Sequence, residues 1–310
     1  MPTRYRPRVD PDALVALDTH VHIECDAHGH LSLDQELMDA SAAYFRADHP
    51  RTPTLEQTAE HYRARNMAAV VFTVDATTGL GRPPLSSEEI AERAAEHADV
   101  LLPFGSVDPL RGAAAVRQAR RLAEEYGVLG FKFHPSLQNF APNDPAHHPL
   151  WETLQELGTV ALFHTGQTGI GAGLPGGRGI KLRYSDPMLL DDVAADFPHL
   201  TMVLAHPSVP WVDSSISIAT HKANVYIDLS GWSPKYFPPQ LVRQANGPLR
   251  HKVLFGSDFP VLAPDRWLAD FARLDIKDEV RPLILKENAL RMLRLEKPRP
   301  DRPPGGRVAP

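Results

Sequence analysis

The run Val15-Ala16-Leu17-Asp18-Thr19-His20-Val21, followed at once by His22, decides how the rest of the chain is read. An apolar segment has no packing reason to finish in two histidines. Residues two apart on a strand share a face, so His20 and His22 point the same way. Runs of the same kind recur at 68–75 (AAVVFTVD), 99–108 (DVLLPFGSVD), 128–134 (VLGFKFH), 159–165 (TVALFHT), 200–206 (LTMVLAH), 224–230 (NVYIDLS) and 251–258 (HKVLFGSD). They are nearly continuously apolar instead of alternating. That marks strands buried on both faces, as in a parallel sheet.

Helical periodicity fills the intervals. Thr54 caps a segment at 55–66, and Ser86 or Ser87 caps one at 87–97. Segments 111–126, 147–157, 186–196, 238–246 and 264–274 follow the same pattern, 212–222 carries it most weakly, and 278–294 closes the series. Eight strands alternating with helices predict a closed (β/α)8 TIM barrel, of the metal-dependent hydrolase type, as one domain over 1–295. Two stretches interrupt the alternation: an insertion at 23–53 after the first strand, and GQTGIGAGLPGGRGIKLRY at 166–184 after the fifth. Both leave the strand ends where barrel active sites sit, and the glycines of the second suit a lid. The Pro- and Arg-rich tail, 296–310, is expected to be disordered.

Composition narrows the partners. The 310 residues carry a formal net charge of -5 with the signs interspersed. No block of Lys and Arg suggests a nucleic-acid surface. No apolar run approaches the ~20 residues of a membrane span, and the start, MPTRYRPRVDPDA, lacks the apolar core of a secretory signal. Cys25 is the single cysteine, which rules out an intramolecular disulfide and fits a reducing, cytoplasmic setting. A small soluble molecule is the expected substrate.

The chemistry gathers where the apolar runs end: His20 and His22, Lys132 and His134, His164, His206, and Asp258. Any one buried histidine is more often a hydrogen-bonded structural residue than a ligand, and His134 alone is read that way. The set points to a metal site. Imidazoles with one carboxylate suit a single divalent ion, Zn²⁺ first, with Mn²⁺, Fe²⁺ or Co²⁺ also accommodated. The expected ligands are His20, His22, His164 and Asp258. His206 is the expected acid/base, and Asp258 doubles as a proton acceptor. Lys132 and His134 are candidates for a second metal or for substrate. Asp18 and Asp228 are expected behind the ligands, Glu24 enters from the first insertion, and Cys25 is read as a buried, inert thiol. Arg178, Lys181 and Arg183 offer cations for a carboxylate or for phosphates, and Trp211, Trp232 and Tyr236 offer walls for an aromatic ring. The bland readings, a solvated basic loop and loop-packing aromatics, stand beside these.

The joint order of His20-Val21-His22, His164, His206 and Ser257-Asp258 resembles the amidohydrolase superfamily, from about Leu14 to Leu295. Within it, the chain resembles the group that includes aminocarboxymuconate-semialdehyde decarboxylase and resorcylate decarboxylases. That resemblance implies the ligand set just given, His206 as catalytic acid/base, and a homodimer. Gly130–Pro135, FHTGQTGIGAGLPGG (163–177) and DLSGWSPKYFPPQLVR (228–243) look like the 4-hydroxyphenyl-β-ketoacyl-CoA hydrolases. This implies hydrolytic C–C cleavage of an aryl β-ketoacyl-CoA to an aromatic carboxylate and acetyl-CoA, in hydroxycinnamate catabolism. The alternatives are non-oxidative decarboxylation of an aromatic or enoic acid, and lactone or amide hydrolysis. A non-catalytic binding barrel is disfavoured because every site position holds a competent residue. Lys132 lies where two-metal relatives carry a carboxylated, bridging lysine. The reading adopted is an unmodified ammonium that pairs with Asp258 or with an anionic substrate.

Overall fold

The computed structural model describes residues 3–47 and 51–296; the tail expected to be disordered lies outside them from residue 297 onward. Eight strands form one sheet in sequence order. They are β1 (Ala16–His22), β2 (Met67–Phe72), β3 (Leu101–Gly105), β4 (Gly130–Phe133), β5 (Val160–His164), β6 (Thr201–Ala205), β7 (Val225–Asp228) and β8 (Val253–Leu254). Every neighbouring pair is parallel. The segment after β8 closes the ring onto β1. Thr19 N donates to Phe255 O, Asp258 N to His20 O and His22 N to Phe259 O, at 2.8–3.0 Å. The predicted (β/α)8 barrel is therefore the fold.

Side-chain alternation sorts the strands into two apolar layers. Leu17, Val70, Phe72, Leu102, Phe104, Leu162, Val203 and Leu254 pack together inside the ring. Val71, Leu101, Phe131, Phe133, Phe163, Met202, Leu204 and Ile227 pack outward against the helices. Lys132, between two outward phenylalanines, must therefore face the lumen, and so must His164, in step with Leu162. Strand β1 has an irregularity. Its register against β2 shifts between Asp18 and Val21. Leu17 joins the inner layer while Val21, four residues on, joins the outer one. Strict alternation would put both on one side. The bulge re-aims the end of the strand, and this is what turns His20 and His22 inward.

The predicted helices are present. Thr54 and Gln57 form a capping box on Leu55–Arg63, worth about 1 kcal/mol, and Ser86, not Ser87, caps Ser87–Glu96. The weakly patterned 212–222 segment is a full helix, Val212–His221, with Val212, Ile216, Ile218 and Ala219 buried. Its serines and threonine blur the pattern, and Ser217 and Thr220 bond back to carbonyls one turn earlier. The final segment contains a π-turn, Leu283–Glu287, before Asn288–Met292.

Both insertions are ordered where described, and they pack on each other. The first carries a helix, Gln35–Tyr44, capped by Asp34. Leu33, Leu37 and Met38 meet Ile170, Leu174 and Ile180 of the second. Arg178 pairs with Asp34 at 3.1 Å and Glu36 at 2.9 Å, and the Gln167 amide donates to the Tyr44 hydroxyl at 2.9 Å. No helix among the described residues is long and apolar enough to cross a membrane.

Candidate metal centre

From β2 to β8 each strand ends before the apolar run that predicted it, and several of the freed residues carry the polar groups. His134, His206 and Asp258 lie just beyond β4, β6 and β8. His206 (φ 71°) and Asp258 (φ 72°) adopt the left-handed region, costing a non-glycine residue of order 1–3 kcal/mol. That backbone strain aims both side chains at the barrel axis.

His20, His22 and Asp258 converge. The Nε2 atoms of the two histidines are 3.2 Å apart, and each lies 3.2 Å from Asp258 Oδ1. The His20 ring is fully buried, and its Nδ1 sits 2.7 Å from Asp228 Oδ2. The carboxylate accepts there, so the proton is on Nδ1 and the Nε2 lone pair faces the site. This carboxylate–imidazole arrangement is typical of metal-bound histidine. His22 is oriented likewise by Glu24 Oε1, 3.3 Å from its Nδ1, and Glu24 is itself held by Ser32. Phe72 stands edge-on to both rings.

Asp18 does not touch the ligands' ring nitrogens. It accepts from the His20 and Ser257 amides and from the Tyr62 hydroxyl, at 3.1, 2.9 and 2.7 Å. It thereby ties the bulged end of β1 to the segment that carries Asp258.

His164 stands apart from the converged trio. Its ring stacks on His134 with centroids 3.8 Å apart, and its Nδ1 is 2.9 Å from His206 Nε2. Its Nε2 is buried with no hydrogen-bond partner. An orphaned buried nitrogen is what a cation would satisfy, and three imidazoles with a carboxylate suit such an ion. The donor set therefore fits a divalent metal. His134 follows its structural reading: Nδ1 accepts from Leu137 N and caps the turn Pro135–Gln138, while Nε2 lies 3.4 Å from Thr168 of the second insertion.

Lys132 is fully buried, but not paired as expected. Among the described residues it forms no ion pair with Asp258; its Nζ lies 3.0 Å from His20 Nε2 and over the Phe72 ring. In this state the ammonium donates to the lone pair that a metal would take.

Burial dominates the electrostatics. It pushes the Lys132 ammonium down to about 8, and it holds His20, His134 and His164 well below the usual imidazole range. Burial also lowers His206. At His22 burial acts in the same direction, but Asp258 and Glu24 outweigh it and lift the imidazole to about 9. At Asp258 burial pushes up, yet the His22 hydrogen bond and the surrounding imidazoles hold the carboxyl well below the carboxylate range.

The peripheral candidates are dispersed. Arg178 is committed to Asp34 and Glu36. Arg183 stacks on Tyr184, and Lys181 is exposed. Trp232 packs on the core, Trp211 is half-buried at the start of its helix, and Tyr236 is 61% exposed beneath Lys235. Cys25 is half-buried instead of buried, and its thiol is pushed up by burial and by Asp26.

Sequence reasoning missed Ser230, Gly231 and Gly256. The buried Ser230 hydroxyl lies 3.0 Å from His20 Nδ1 and 2.9 Å from His206 Nδ1. A Cβ on Gly231 would fall 2.7 Å from His206 Nδ1, and one on Gly256 would fall 2.8 Å from Asp228 Oδ1. The only signal for these was their position, immediately beyond or within runs already read as strand ends.

The family model described as Amidohydrolase matches residues 25–295. The match begins after His20 and His22, so their place in the site rests on geometry. No curated protein matches. Among solved structures, the chain is similar to an uncharacterized TIM-barrel protein from Bordetella bronchiseptica (21% identity, TM-score 0.73, covering 90% of this chain and 98% of that one). It is also similar to 5-carboxyvanillate decarboxylase from Sphingomonas paucimobilis (17%, TM-score 0.64, 91% and 99%). A third is a dihydroxybenzoic acid decarboxylase from Polaromonas with bound manganese and 2-nitroresorcinol (16%, TM-score 0.63, 91% and 97%).

Proposed function

The chain belongs to the amidohydrolase family, and from that premise we propose that it is a metal-dependent enzyme that removes carboxylate from an aromatic acid without oxidation. The observation that carries the proposal is the convergence of His20 Nε2 and His22 Nε2 on Asp258 Oδ1, together with a buried His164 Nε2 that has no hydrogen-bond partner. His20, His22, His164 and Asp258 would hold one divalent ion, whose Lewis acidity binds and polarises substrate oxygens. Zinc or manganese both suit this donor set.

The remaining roles fall to the chain's own residues. Lys132 supplies a buried cation for the substrate's anionic group. His206 delivers a proton to the ring carbon as its bond to the carboxylate carbon breaks. The bonding electron pair stays on the ring carbon and takes that proton, and CO2 leaves. His20, His164 and His206 are buried, while His22 and Asp258 keep slight solvent exposure.

Hydrolytic C–C cleavage of an aryl β-ketoacyl-CoA uses the same ligands and is the second reading. Lys181 and Arg183, exposed and without an acidic partner among the described residues, favour it. The commitment of Arg178 to Asp34 and Glu36 weighs against a phosphate clamp there. The test is to strip the protein of metal, reload it with Zn²⁺ or Mn²⁺, and offer hydroxybenzoates, carboxyvanillate and aryl β-ketoacyl-CoA esters. Metal-dependent CO2 release supports decarboxylation. Release of acetyl-CoA with no CO2 replaces it with the hydrolase. Failure to bind either metal ends both readings.

A further inference from the structure

Ser230 touches both halves of the site. Its hydroxyl is fully buried at the end of β7. It lies 3.0 Å from His20 Nδ1 and 2.9 Å from His206 Nδ1. His206 Nε2 in turn lies 2.9 Å from His164 Nδ1. These contacts make one continuous chain, Asp228–His20–Ser230–His206–His164, that links a converged ligand to the isolated one.

The direction of that chain follows from proton counting. Asp228 is an acceptor, so His20 carries its proton on Nδ1 and shares it with Ser230 Oγ. Between His206 and His164 two arrangements exist. In one, His206 donates through Nε2, and His164 must then carry its proton on the orphaned Nε2. In the other, His164 donates through Nδ1 to His206 Nε2, and His206 donates through Nδ1 to Ser230 Oγ. The first leaves a buried N–H with no acceptor on a ring that already feels the Lys132 charge. The second leaves a lone pair there, which the cation favours and a metal can use. Ser230 can accept from both histidines with its two lone pairs. Its own proton then turns to Asp228, whose ionised form it stabilises.

The local backbone is shaped for this contact. Gly231 has φ 74°, and a side chain there would strike His206 Nδ1 at 2.7 Å. Only a glycine lets the His206 ring sit against the Ser230 hydroxyl.

We propose that Ser230 is a positioning residue that holds His206 in its Nδ1–H form and thereby keeps His164 Nε2 free as a metal ligand. The part that concerns the metal rests on the proposed function; the proton position on His206 does not.

The test is 15N NMR of histidine-labelled protein, which reads the protonated nitrogen of each ring, in metal-free and zinc-titrated samples of wild type, Ser230→Ala and Ser230→Thr. Wild type is expected to show His206 protonated on Nδ1. Ser230→Ala removes the acceptor without adding volume and is expected to move that proton to Nε2. The same variant should weaken zinc binding by roughly tenfold to a hundredfold, the usual effect of losing a partner behind a ligand. Ser230→Thr restores the hydroxyl and should restore both. If its extra methyl is not accommodated beside Gly256, Ser230→Ala decides alone, with circular dichroism confirming its fold. An unchanged His206 proton position in Ser230→Ala, or an Nε2–H form in wild type, overturns the proposal. If wild type binds no zinc, the metal reading falls, and the metal-free spectra still decide the role of Ser230.

Discussion

At the scale of single residues, the site is built from side chains whose positions were legible and partners that were not. His20, His22, His164, His206 and Asp258 stood out because each ends or follows an apolar run. The hydrogen bonds that orient them join segments about 208 residues apart, as between His20 and Asp228, and no spacing rule reveals such a pair. Two predictions follow from the partners. Asp228→Ala removes the acceptor of the His20 Nδ1 proton, and zinc affinity measured by competition with a chelating dye should fall roughly tenfold to a hundredfold. An unchanged affinity would show that Asp228 does not orient the ligand. Gly231→Ala places a methyl 2.7 Å from His206 Nδ1 at a φ of 74°. It should destabilise the fold by about 1–2 kcal/mol in urea titration, since alanine at positive φ is strained and the close contact must also relax. A neutral result would mean that the His206 ring moves aside at no cost.

At the scale of elements, the strands were legible because burial on both faces writes itself into composition. The bulge in β1 was not, because a register shift leaves no mark on a run that is apolar throughout. Nor was the helix Gln35–Tyr44, whose short apolar face packs in a small satellite cluster with the other insertion and with Ala76 and Leu137. That contact holds the two insertions to each other. The glycines of 166–184 leave the loop little intrinsic order, so its place depends on Leu33, Leu37 and Met38 and on the double pair of Arg178 with Asp34 and Glu36. Exposed pairs contribute about 0.2–1 kcal/mol each. Arg178→Ala should therefore leave global stability within about 1 kcal/mol of wild type while loosening the loop locally. Limited proteolysis should then cut within 166–184 faster than in wild type, and 0.5 M salt should narrow the difference by screening the wild-type pair. Equal cleavage rates would mean that the apolar contacts alone hold the loop.

At the scale of the whole molecule, metal and protons compete for the same lone pairs, and the competition fixes the pH dependence of stability. In the metal-free protein His22 is lifted from an ordinary 6.5 to about 9 by Asp258 and Glu24, against the effect of burial. A histidine raised in the folded state contributes stability that is fully present below about 6.5 and is lost as pH rises through about 9. A shift of that size corresponds to something on the order of 3 kcal/mol, divided in practice among the coupled groups. A metal ion needs His22 neutral, so its binding displaces that proton, and apparent affinity should rise about tenfold per pH unit between 6.5 and 9. The two effects oppose each other. The melting temperature of metal-free protein should fall from about pH 6.5 to about 8, above which the depressed Lys132 ammonium begins to offset His22, while the increment gained on adding zinc should grow. Calorimetry in buffers of different ionisation enthalpy should register about one proton released per ion bound below pH 9. His22→Ala should flatten the metal-free profile and abolish that proton release. A metal-free melting temperature that rises from pH 6.5 to 8 would show that the Asp258–His22–Glu24 cluster does not hold the proton assigned to it.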